Sequence, residues 1–562
     1  MAATAPARPQ GTLTHRQIVT ILTGLMMGMF LAALDQTIVA TSIRTIADDL
    51  KGLNEQAWAT TAYLITSTIV TPLYGKLSDI YGRKKFFSTA ITIFVVGSIL
   101  CTFATSMLQL AFFRAFQGLG AGGLFSLALA IIGDIVPPRE RAKYQGYFLA
   151  VFGTSSVLGP VIGGFLAGQA TILGITGWRW VFLVNVPIGI LALVVVSRTL
   201  HLQHTRLDHR IDWWGAATLS LGLVPLLLVA EQGRDWGWAS GRSLTCFIIG
   251  GIGVIAFLLV ERAMKDEALL PLTLFQERTV AVASGASVLI GMAMFGGLAS
   301  LPLYLQIVKG ASPTQAGLEL LPMTMGIMGG SIISGQIISR TGRYRLFPIV
   351  GSALLGLSLF AFHFVHADTA LWQTMIVMVF FGIGLGFNFQ PLTLAVQNAV
   401  SPRLIGVATS SATFTRQIGG TLGTAIFLSI LFSTVPDKIT AAMQRIAPTQ
   451  EFQTALHSPA NAAFAKSFAA AKTSGTSSSG VLKDSSFLNH LDPRLAKPFL
   501  QGFSDSMDLV FMVGAGVMVV GFLVMLLLPH VELRGGSAYS ERGAADAADA
   551  AGAAGAPAAA AH

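Results

Sequence analysis

The chain has 562 residues, of which 53% are hydrophobic and 11% are charged, and its mean hydropathy is +0.67. Soluble domains carry about 25% charged residues, so this composition excludes a soluble fold and predicts a polytopic membrane protein. The formal net charge is +9, but the basic residues are spread over short loops, which excludes a nucleic-acid-binding surface. The two cysteines, Cys101 and Cys246, lie in apolar segments, so we expect neither a disulfide framework nor a zinc site.

Apolar segments of about 20 residues are long enough to cross a bilayer as helices. The chain contains fourteen such segments. They lie at about 18–41, 57–77, 86–105, 108–133, 144–168, 180–197, 213–231, 244–261, 280–307, 316–338, 346–365, 371–398, 405–433 and 506–529. No small-residue cleavage site follows the first segment, so we predict an uncleaved helix rather than a signal peptide.

An even number of spans places both termini on one side of the membrane. Lys and Arg are concentrated in the loops and tails of that side. The short loops of the other side carry only Arg44, Lys51, Arg179, Arg234, Arg242 and Lys309. Because Lys and Arg mark the cytoplasmic side, we expect both termini in the cytoplasm.

The spans group into domains. We predict a cytoplasmic tail over 1–17, a six-helix bundle over 18–200, an accessory helix pair over 201–265, a second six-helix bundle over 266–530 with an extracellular insertion over 434–505, and a tail over 531–562. The last tail, "GAADAADAAGAAGAPAAAAH", is of low complexity, so we expect it to be disordered.

A loop pattern occurs twice. "GKLSDIYGRKK" (75–85) follows the second span, and "GQIISRTGRYR" (335–345) follows the tenth. Both contain Gly, a spacer, Gly-Arg and further basic residues, although Ser339 stands where the first copy has Asp79. Two parallel halves with a site between them at mid-membrane are a transporter architecture.

Further motifs occur on the expected spans. They are "LDQTIVATSI" (34–43), "RAFQGLGAGG" (114–123), "GTSSVLGPVIGG" (153–164), "WRWVFLVNVPIG" (178–189) and "TRQIGGTLGTAIF" (415–427). With the loop pattern they resemble, over nearly the whole chain, the fourteen-helix drug:proton antiporters of the major facilitator superfamily (EmrB/QacA type). The resemblance implies an all-α integral membrane protein with the major facilitator fold, two six-helix bundles plus two accessory transmembrane helices.

Asp35 is the single acid in "LAALDQTIVA" (31–40). A charge near mid-bilayer costs roughly 2.5–3.5 kcal/mol on insertion scales, so such residues are usually functional. Helix rise places Asp35 about 26 Å from the inner end of its span and Arg114 about 9 Å from the outer end of span four. The two charges therefore lie at similar depth. They form either a structural pair that holds helices together or a proton-coupling site, and the resemblance favours the second interpretation.

Two clusters are candidates for conformational roles. The first loop motif contains Gly75 and Gly82, and its charges Asp79, Arg83, Lys84 and Lys85 fit plain positive-inside topology and capping. The resemblance implies that Asp79 and Arg83 also hold the halves together in one state and release them in the other. Asp134, Arg139 and Arg141 in the next inward loop are candidates for the same cluster or for capping. In span five, Gly159, Pro160, Gly163 and Gly164 combine small residues with a proline, which suits close helix packing and a bend. The resemblance links this motif to antiport.

Polar residues at membrane depth are candidates for a substrate cavity. They are Gln36, Glu319, Asn388, Arg416 and Gln417. For the amides among them, as for Gln390 and Gln397, hydrogen bonding between helices is the default interpretation. Arg416 lies near mid-membrane and must face protein or water, so it either faces a cavity or pairs with another helix. Glu319 opens span ten, where an acid in the first turn is favoured by the helix dipole. Helix capping and attraction of a cationic substrate both remain open for this residue.

The sequence and the resemblance together predict a secondary active exporter in the bacterial plasma (inner) membrane. It would move amphipathic, often cationic, drugs or toxic compounds outward in exchange for protons. Its partners would be the small-molecule substrate, protons and the lipid bilayer, with no nucleic acid, and the protein would act as a monomer. We expect no enzymatic activity, cofactor or metal, since no nucleophile–base pair, metal cluster or GxxxxGK[ST] motif appears. A dedicated exporter of a lipid or self-made metabolite, or a non-transporting receptor or scaffold, remains an alternative.

Overall fold

A computed structural model of the chain describes residues 15–51, 56–200, 211–458, 461, 464, 466 and 491–533. Residues 1–14, 52–55 and 201–210, most of the predicted insertion beyond 458 and the predicted tail from 534 lie outside the described residues. The predicted disorder of the C-terminal tail therefore stays a prediction.

The described residues form long helices and one two-stranded hairpin. In chain order they are α1 His15–Asp49, α2 Gln56–Tyr81, α3 Arg83–Thr102, α4 Met107–Ile135, α5 Pro138–Gly168, β1 Thr171–Ile172, β2 Ile175–Thr176, α6 Trp180–Leu183, α7 Asn185–Thr199, α8 Trp213–Trp236, α9 Gly241–Met264, α10 Arg278–Leu303, α11 Pro313–Glu319, α12 Leu321–Thr341, α13 Leu346–Phe362, α14 Leu371–Ala399, α15 Ile405–Ile446, α16 Gln450–Leu456 and α17 Pro493–Leu526. Strands β1 and β2 are antiparallel.

Twelve helical stretches in the described chain are long and apolar enough to cross a membrane. The shorter apolar helix α13 and the Thr- and Ser-rich α2, of 26 residues, complete a set of fourteen. The predicted all-α membrane fold is confirmed, and the described helices are roughly consistent with the predicted count of fourteen spans. The hairpin between α5 and α6 is an addition that the hydropathy pattern does not reveal.

The helices before the accessory pair and those after it pack in the same pattern. In the first half, α1 contacts α5 and α7, while α4 contacts α2 and α3. In the second half, α10 contacts α15 and α17, while α14 contacts α12 and α13. The halves meet along the pairs α2–α15 and α5–α12, and α8 of the accessory pair contacts both α2 and α15. Equivalent helices thus hold equivalent positions, which is the arrangement expected for parallel repeats.

The last two spans extend beyond their predicted limits. Helix α15 continues to Ile446, thirteen residues past the predicted end, and α17 begins at Pro493, thirteen residues early. The extensions pack on each other: a Cβ on Gly502 would lie 2.6 Å from the backbone of Ile439. Both edges of the predicted insertion 434–505 are therefore helical continuations of the spans. Hydropathy ends at the membrane surface, whereas backbone hydrogen bonding and helix–helix packing continue past it.

Close packing of α1 against α5 depends on two glycines. A Cβ on Gly159 would overlap the hydroxyl of Thr37, and one on Gly163 would lie 2.5 Å from Thr41 Oγ1 and 2.9 Å from the carbonyl of Ile38. Gly164, by contrast, is exposed. Neighbouring helix residues point about 100° apart. The prediction that Gly164 contributes to the helix-packing face of α5 is therefore wrong.

The neighbouring glycines of α5 provide a matched pair for a stability test. Gly163→Ala should destabilise the protein by roughly 1–3 kcal/mol, because the added methyl overpacks the α1 contact. Gly164→Ala should be neutral or slightly stabilising, because alanine is the better helix former. Thermal unfolding of both variants in detergent measures the difference, and equal melting temperatures would show that the α1–α5 contact relaxes freely.

The topology can be tested with exposed positions at the two ends of the bundle. Ser197 lies at the end of α7, where its carbonyl accepts from Lys84, and Thr454 lies on α16 beyond the opposite end. In a background without Cys101 and Cys246, a cysteine at Thr454 should react with an impermeant thiol reagent in intact cells, because the charge bias places that end outside. A cysteine at Ser197 should react only after the membrane is opened. The reverse pattern would invert the proposed orientation.

Candidate functional site

Asp35 and Arg114 form a fully buried ion pair inside the first half. Arg114 Nη1 lies 2.5 Å from Asp35 Oδ2, and the two residues are 0% and 1% exposed. The guanidinium also stacks over the ring of Tyr63, 4.0 Å from its centroid. The sequence-based prediction that these charges lie at similar depth agrees with this contact.

Two amides complete the surroundings of the acid. Gln117 Nε2 and Asn185 Nδ2 donate to Asp35 Oδ1 at 3.0 and 2.8 Å. Gln117 also bridges to Ser98 Oγ at 2.7 Å and accepts from Arg114 at 2.7 Å. These residues and Tyr63 form what we call the Asp35 cluster, which joins α1, α2, α3, α4 and α7. Sequence reasoning missed the role of Asn185, although a lone amide in the apolar run "VFLVNVPIG" was an available signal.

A second ionic cluster lies at the face of the bundle that carries Gly82, the residue between α2 and α3. Arg83 pairs with Asp79 and, through Nε at 2.8 Å, with Asp134. The second oxygen of Asp79 accepts the backbone N–H of Val407 at 2.9 Å. Val407 lies in the first turn of α15, where free N–H groups and the helix dipole favour an anion. We call Asp79, Arg83, Asp134 and Val407 the latch, because it connects the two halves.

Glycines allow the halves to approach at the latch. A Cβ on Gly406 would overlap both Arg83 and Asp79, and one on Gly75 would overlap the hydroxyl of Ser410. Gly82 has φ 105°, a conformation that favours glycine. Gly75 and Gly82 were predicted, whereas Gly406 was missed because it belongs to no recognised motif.

A further connection between the halves lies beside the latch. Arg141 donates to Gln397 Oε1 at 3.3 Å, and Gln397 Nε2 donates to the carbonyl of Leu129 at 3.0 Å. Together with the latch, these bonds close the bundle on the Gly82 face.

A cavity of about 280 Å³ lies between the halves above this closure. Its walls carry aromatic and methionine side chains, among them Phe125, Phe152, Phe295, Phe389, Met294 and Met323. Gln36, Arg416 and Gln417 also line it, as expected for substrate-cavity candidates. Gln417 Oε1 accepts from Thr71 at 3.2 Å, which ties α15 to α2 at this level.

Two other candidates lie outside this lining. Asn388 is fully buried on α14, where its Nδ2 donates to the carbonyl of Gly384 at 2.8 Å. Glu319 is the last residue of α11 and accepts from Gln315 at 3.1 Å. It is therefore not in the first turn of a helix, and the dipole explanation for this acid is wrong because a helix break at Leu320 separates α11 from α12.

The fold and these features define a class: a two-halved helical membrane transporter with a central cavity. Comparison with known proteins agrees. The family pattern "Major Facilitator Superfamily" matches residues 25–424, and the chain belongs to this superfamily.

Similar proteins include a named multidrug transporter and a named multidrug resistance protein. The chain is 32% identical over 540 residues to the multidrug transporter protein MdtP of Bacillus subtilis, covering 93% of this chain and 95% of that protein. It is 37% identical over 435 residues to multidrug resistance protein 3 of the same organism, covering 77% and 83%. Among solved structures, the proton:xylose symporter XylE superposes with a TM-score of 0.57 at 14% identity, over 95% of this chain and all of XylE, which supports the fold.

The latch predicts a change in accessibility. Asp79→Asn removes the charge that pairs with Arg83. Loss of one partner of a buried ion pair destabilises the structure that contains it by about 3–5 kcal/mol. A cysteine at Thr413, which lines the cavity, should then react at least about tenfold faster with an impermeant reagent applied to the Gly82 face, since about 1.4 kcal/mol suffices for that factor.

The matched control for the latch is Asp368→Asn, because Asp368 is exposed between α13 and α14 at the opposite end. It should leave the labelling rate at Thr413 unchanged. An unchanged labelling rate in the Asp79→Asn variant as well would show that the latch does not close this face.

Proposed function

We propose that the protein is a proton-coupled antiporter that exports amphipathic small molecules, drugs and toxic compounds among them, across a bacterial plasma membrane with both termini in the cytoplasm. The observation that carries the proposal is the completely buried Asp35–Arg114 pair beside a central cavity. The names of two relatives, a multidrug transporter protein and a multidrug resistance protein, support export as the direction.

The Asp35 cluster supplies a site for a proton. Protonation of Asp35 would remove its charge and weaken its attraction for Arg114, which frees α1 to shift against α4. Asp35 faces the cluster, while the next residue, Gln36, lines the cavity. A rotation of α1 therefore changes the protonation site and the cavity wall together, which is a physical route for coupling.

The latch supplies alternating access in this proposal. With Asp79 bound to the first turn of α15, the Gly82 face is closed. Release of this contact would open the cavity to the cytoplasm for substrate entry. A charge that moves inward through 100 mV yields about 2.3 kcal/mol, so proton entry drives the cycle without ATP.

The preference for cations that the sequence suggested is not retained in the proposal. No acid of the described chain lines the cavity, and Glu319 lies outside it. A cationic substrate would therefore meet Arg416 without a compensating carboxylate.

Asp35 variants test the coupling. Asp35→Asn preserves size and hydrogen bonding but cannot titrate, so the variant should insert and bind substrate yet fail to concentrate it in inverted vesicles when a proton gradient is imposed. Asp35→Glu should retain part of the activity, because it can still release a proton.

The control for these variants is Asp48→Asn, which changes an exposed acid on the same helix and should transport normally. Proton-driven uptake by the Asp35→Asn variant at the wild-type rate would make Asp35 a structural partner of Arg114. A folded wild-type protein that moves neither protons nor substrate would favour a receptor or scaffold.

A further inference from the structure

Arg416 differs from the other arginines that lie buried in the bundle. Arg114 and Arg83 each face carboxylates, and Arg141 donates to Val136 and Gln397. Arg416 is 4% exposed, and its described contacts are Thr393 Oγ1 at 3.3 Å and the ring of Phe389 at 3.9 Å. Within the described chain it has no salt bridge, although a charge in the membrane is expected to be paired.

The guanidinium is the one charged group among the residues that line the cavity in the described structure. Phe389 covers one of its faces by a cation–π contact, and the hydroxyl of Thr393 accepts from only one of its nitrogens. A guanidinium has five N–H donors in a planar fork that matches a carboxylate, sulfonate or phosphate. Most of these donors are left for a ligand.

Gln390 is an independent sign of a missing polar ligand. It lines the same cavity, is 2% exposed, and neither its side-chain oxygen nor its nitrogen has a hydrogen-bond partner. Buried amides are nearly always hydrogen-bonded. Gln390 is one turn from Thr393, the partner of Arg416, so an acidic group at Arg416 would lie on the same side of α14 as the free amide.

We propose that the cavity selects acidic amphiphiles: molecules with an apolar body and one anionic group that pairs with Arg416 and hydrogen-bonds to Gln390. The apolar body would pack among the phenylalanine and methionine side chains that form most of the wall. This proposal rests on the proposed export function and names its substrate class. It reverses the sign of charge that the sequence suggested.

The sign of the substrate charge changes how the membrane potential acts. When one proton enters and one monovalent anion leaves, two charges move in the same electrical sense. When one proton enters and one monovalent cation leaves, no net charge moves. A negative interior therefore accelerates export of the anion and has no direct effect on exchange of the cation.

The first experiment uses the wild-type chain in phosphatidylcholine proteoliposomes. The probes are a permanently anionic aryl sulfonate, anilinonaphthalene sulfonate, and a permanently cationic dye, ethidium. We expect saturable binding of the sulfonate. We also expect faster sulfonate transport at constant pH when a potassium diffusion potential makes the side that the sulfonate leaves negative. Preference for ethidium, with no saturable sulfonate binding, would overturn the proposal.

The second experiment changes Arg416. Arg416→Gln should weaken sulfonate binding at least tenfold, and Arg416→Lys, which keeps the charge but loses the fork, should fall between this variant and the wild type. Arg242→Gln is the matched control, because it removes an exposed arginine at the start of α9, and it should bind normally. Equal weakening of both probes by Arg416→Gln would assign the residue a structural role and overturn the proposal.

Two further measurements distinguish the source of the acidic ligand and separate ligand binding from proton coupling. If phosphatidylglycerol in the vesicles competes with the sulfonate, the acidic amphiphile at Arg416 includes anionic lipid, and without competition it is a soluble compound. Failure of proton coupling is distinguishable, because sulfonate binding sensitive to Arg416 would persist without any proton flux. Transport of ethidium alone, driven by protons, would support antiport and overturn the acidic substrate class.

Discussion

An ion inside a bilayer must be paired or must face a polar cavity, and this constraint organises the bundle. Arg114 is compensated by Asp35, and Arg83 by Asp79 and Asp134. The Asp35 cluster draws five helices of the first half to one point, since the amides that complete it come from α4 and α7. Because removal of either partner of a buried pair is strongly destabilising, the proposed coupling ties the position of α1 to the charge state of Asp35.

Each of two helices, α1 and α15, carries two parts of the proposed mechanism. On α1, Asp35 faces the cluster and Gln36 faces the cavity. On α15, Val407 binds Asp79 in the first turn, while Arg416 lies in the cavity wall about two and a half turns further along. A helix moves approximately as a rigid body, so a change at one end is felt at the other. Coupling then requires no long chain of side-chain contacts.

The sequence predicts the spans and the charged pairs well, because both follow from strong local rules. Apolar length predicts the helices. Intramembrane charges such as Asp35 and Arg114 are rare, so they can be recognised in the sequence as candidate functional residues. What it does not predict arises from tertiary packing. Gly406 is one small residue among many until Arg83 and Asp79 lie against it, and Gly164 looks equivalent to Gly163 until the helix is placed.

The sign of the charge in the cavity wall is another property that the sequence alone does not predict. Glu319 and Arg416 are comparable candidates in the sequence, and only the placement of α15 puts the arginine in the cavity wall, whereas that of α11 leaves the acid outside it. A helix break at Leu320 that hydropathy does not register decides the position of Glu319. The proposed substrate preference therefore follows from packing, which composition does not determine.

The chemistry of the latch suits a contact that must break in every cycle. Interdigitated apolar side chains would exclude water and would have to be pulled apart, whereas the latch closes through glycine surfaces and a few hydrogen bonds. Each such bond contributes only about 0.5–1.5 kcal/mol net, because water replaces it on opening. To convert a mostly closed face to a mostly open one takes about 5.5 kcal/mol. The few exchangeable bonds between the halves together lie near that range. In the proposed cycle, proton entry contributes about 2.3 kcal/mol per 100 mV, and substrate binding would supply the remainder needed to move the equilibrium.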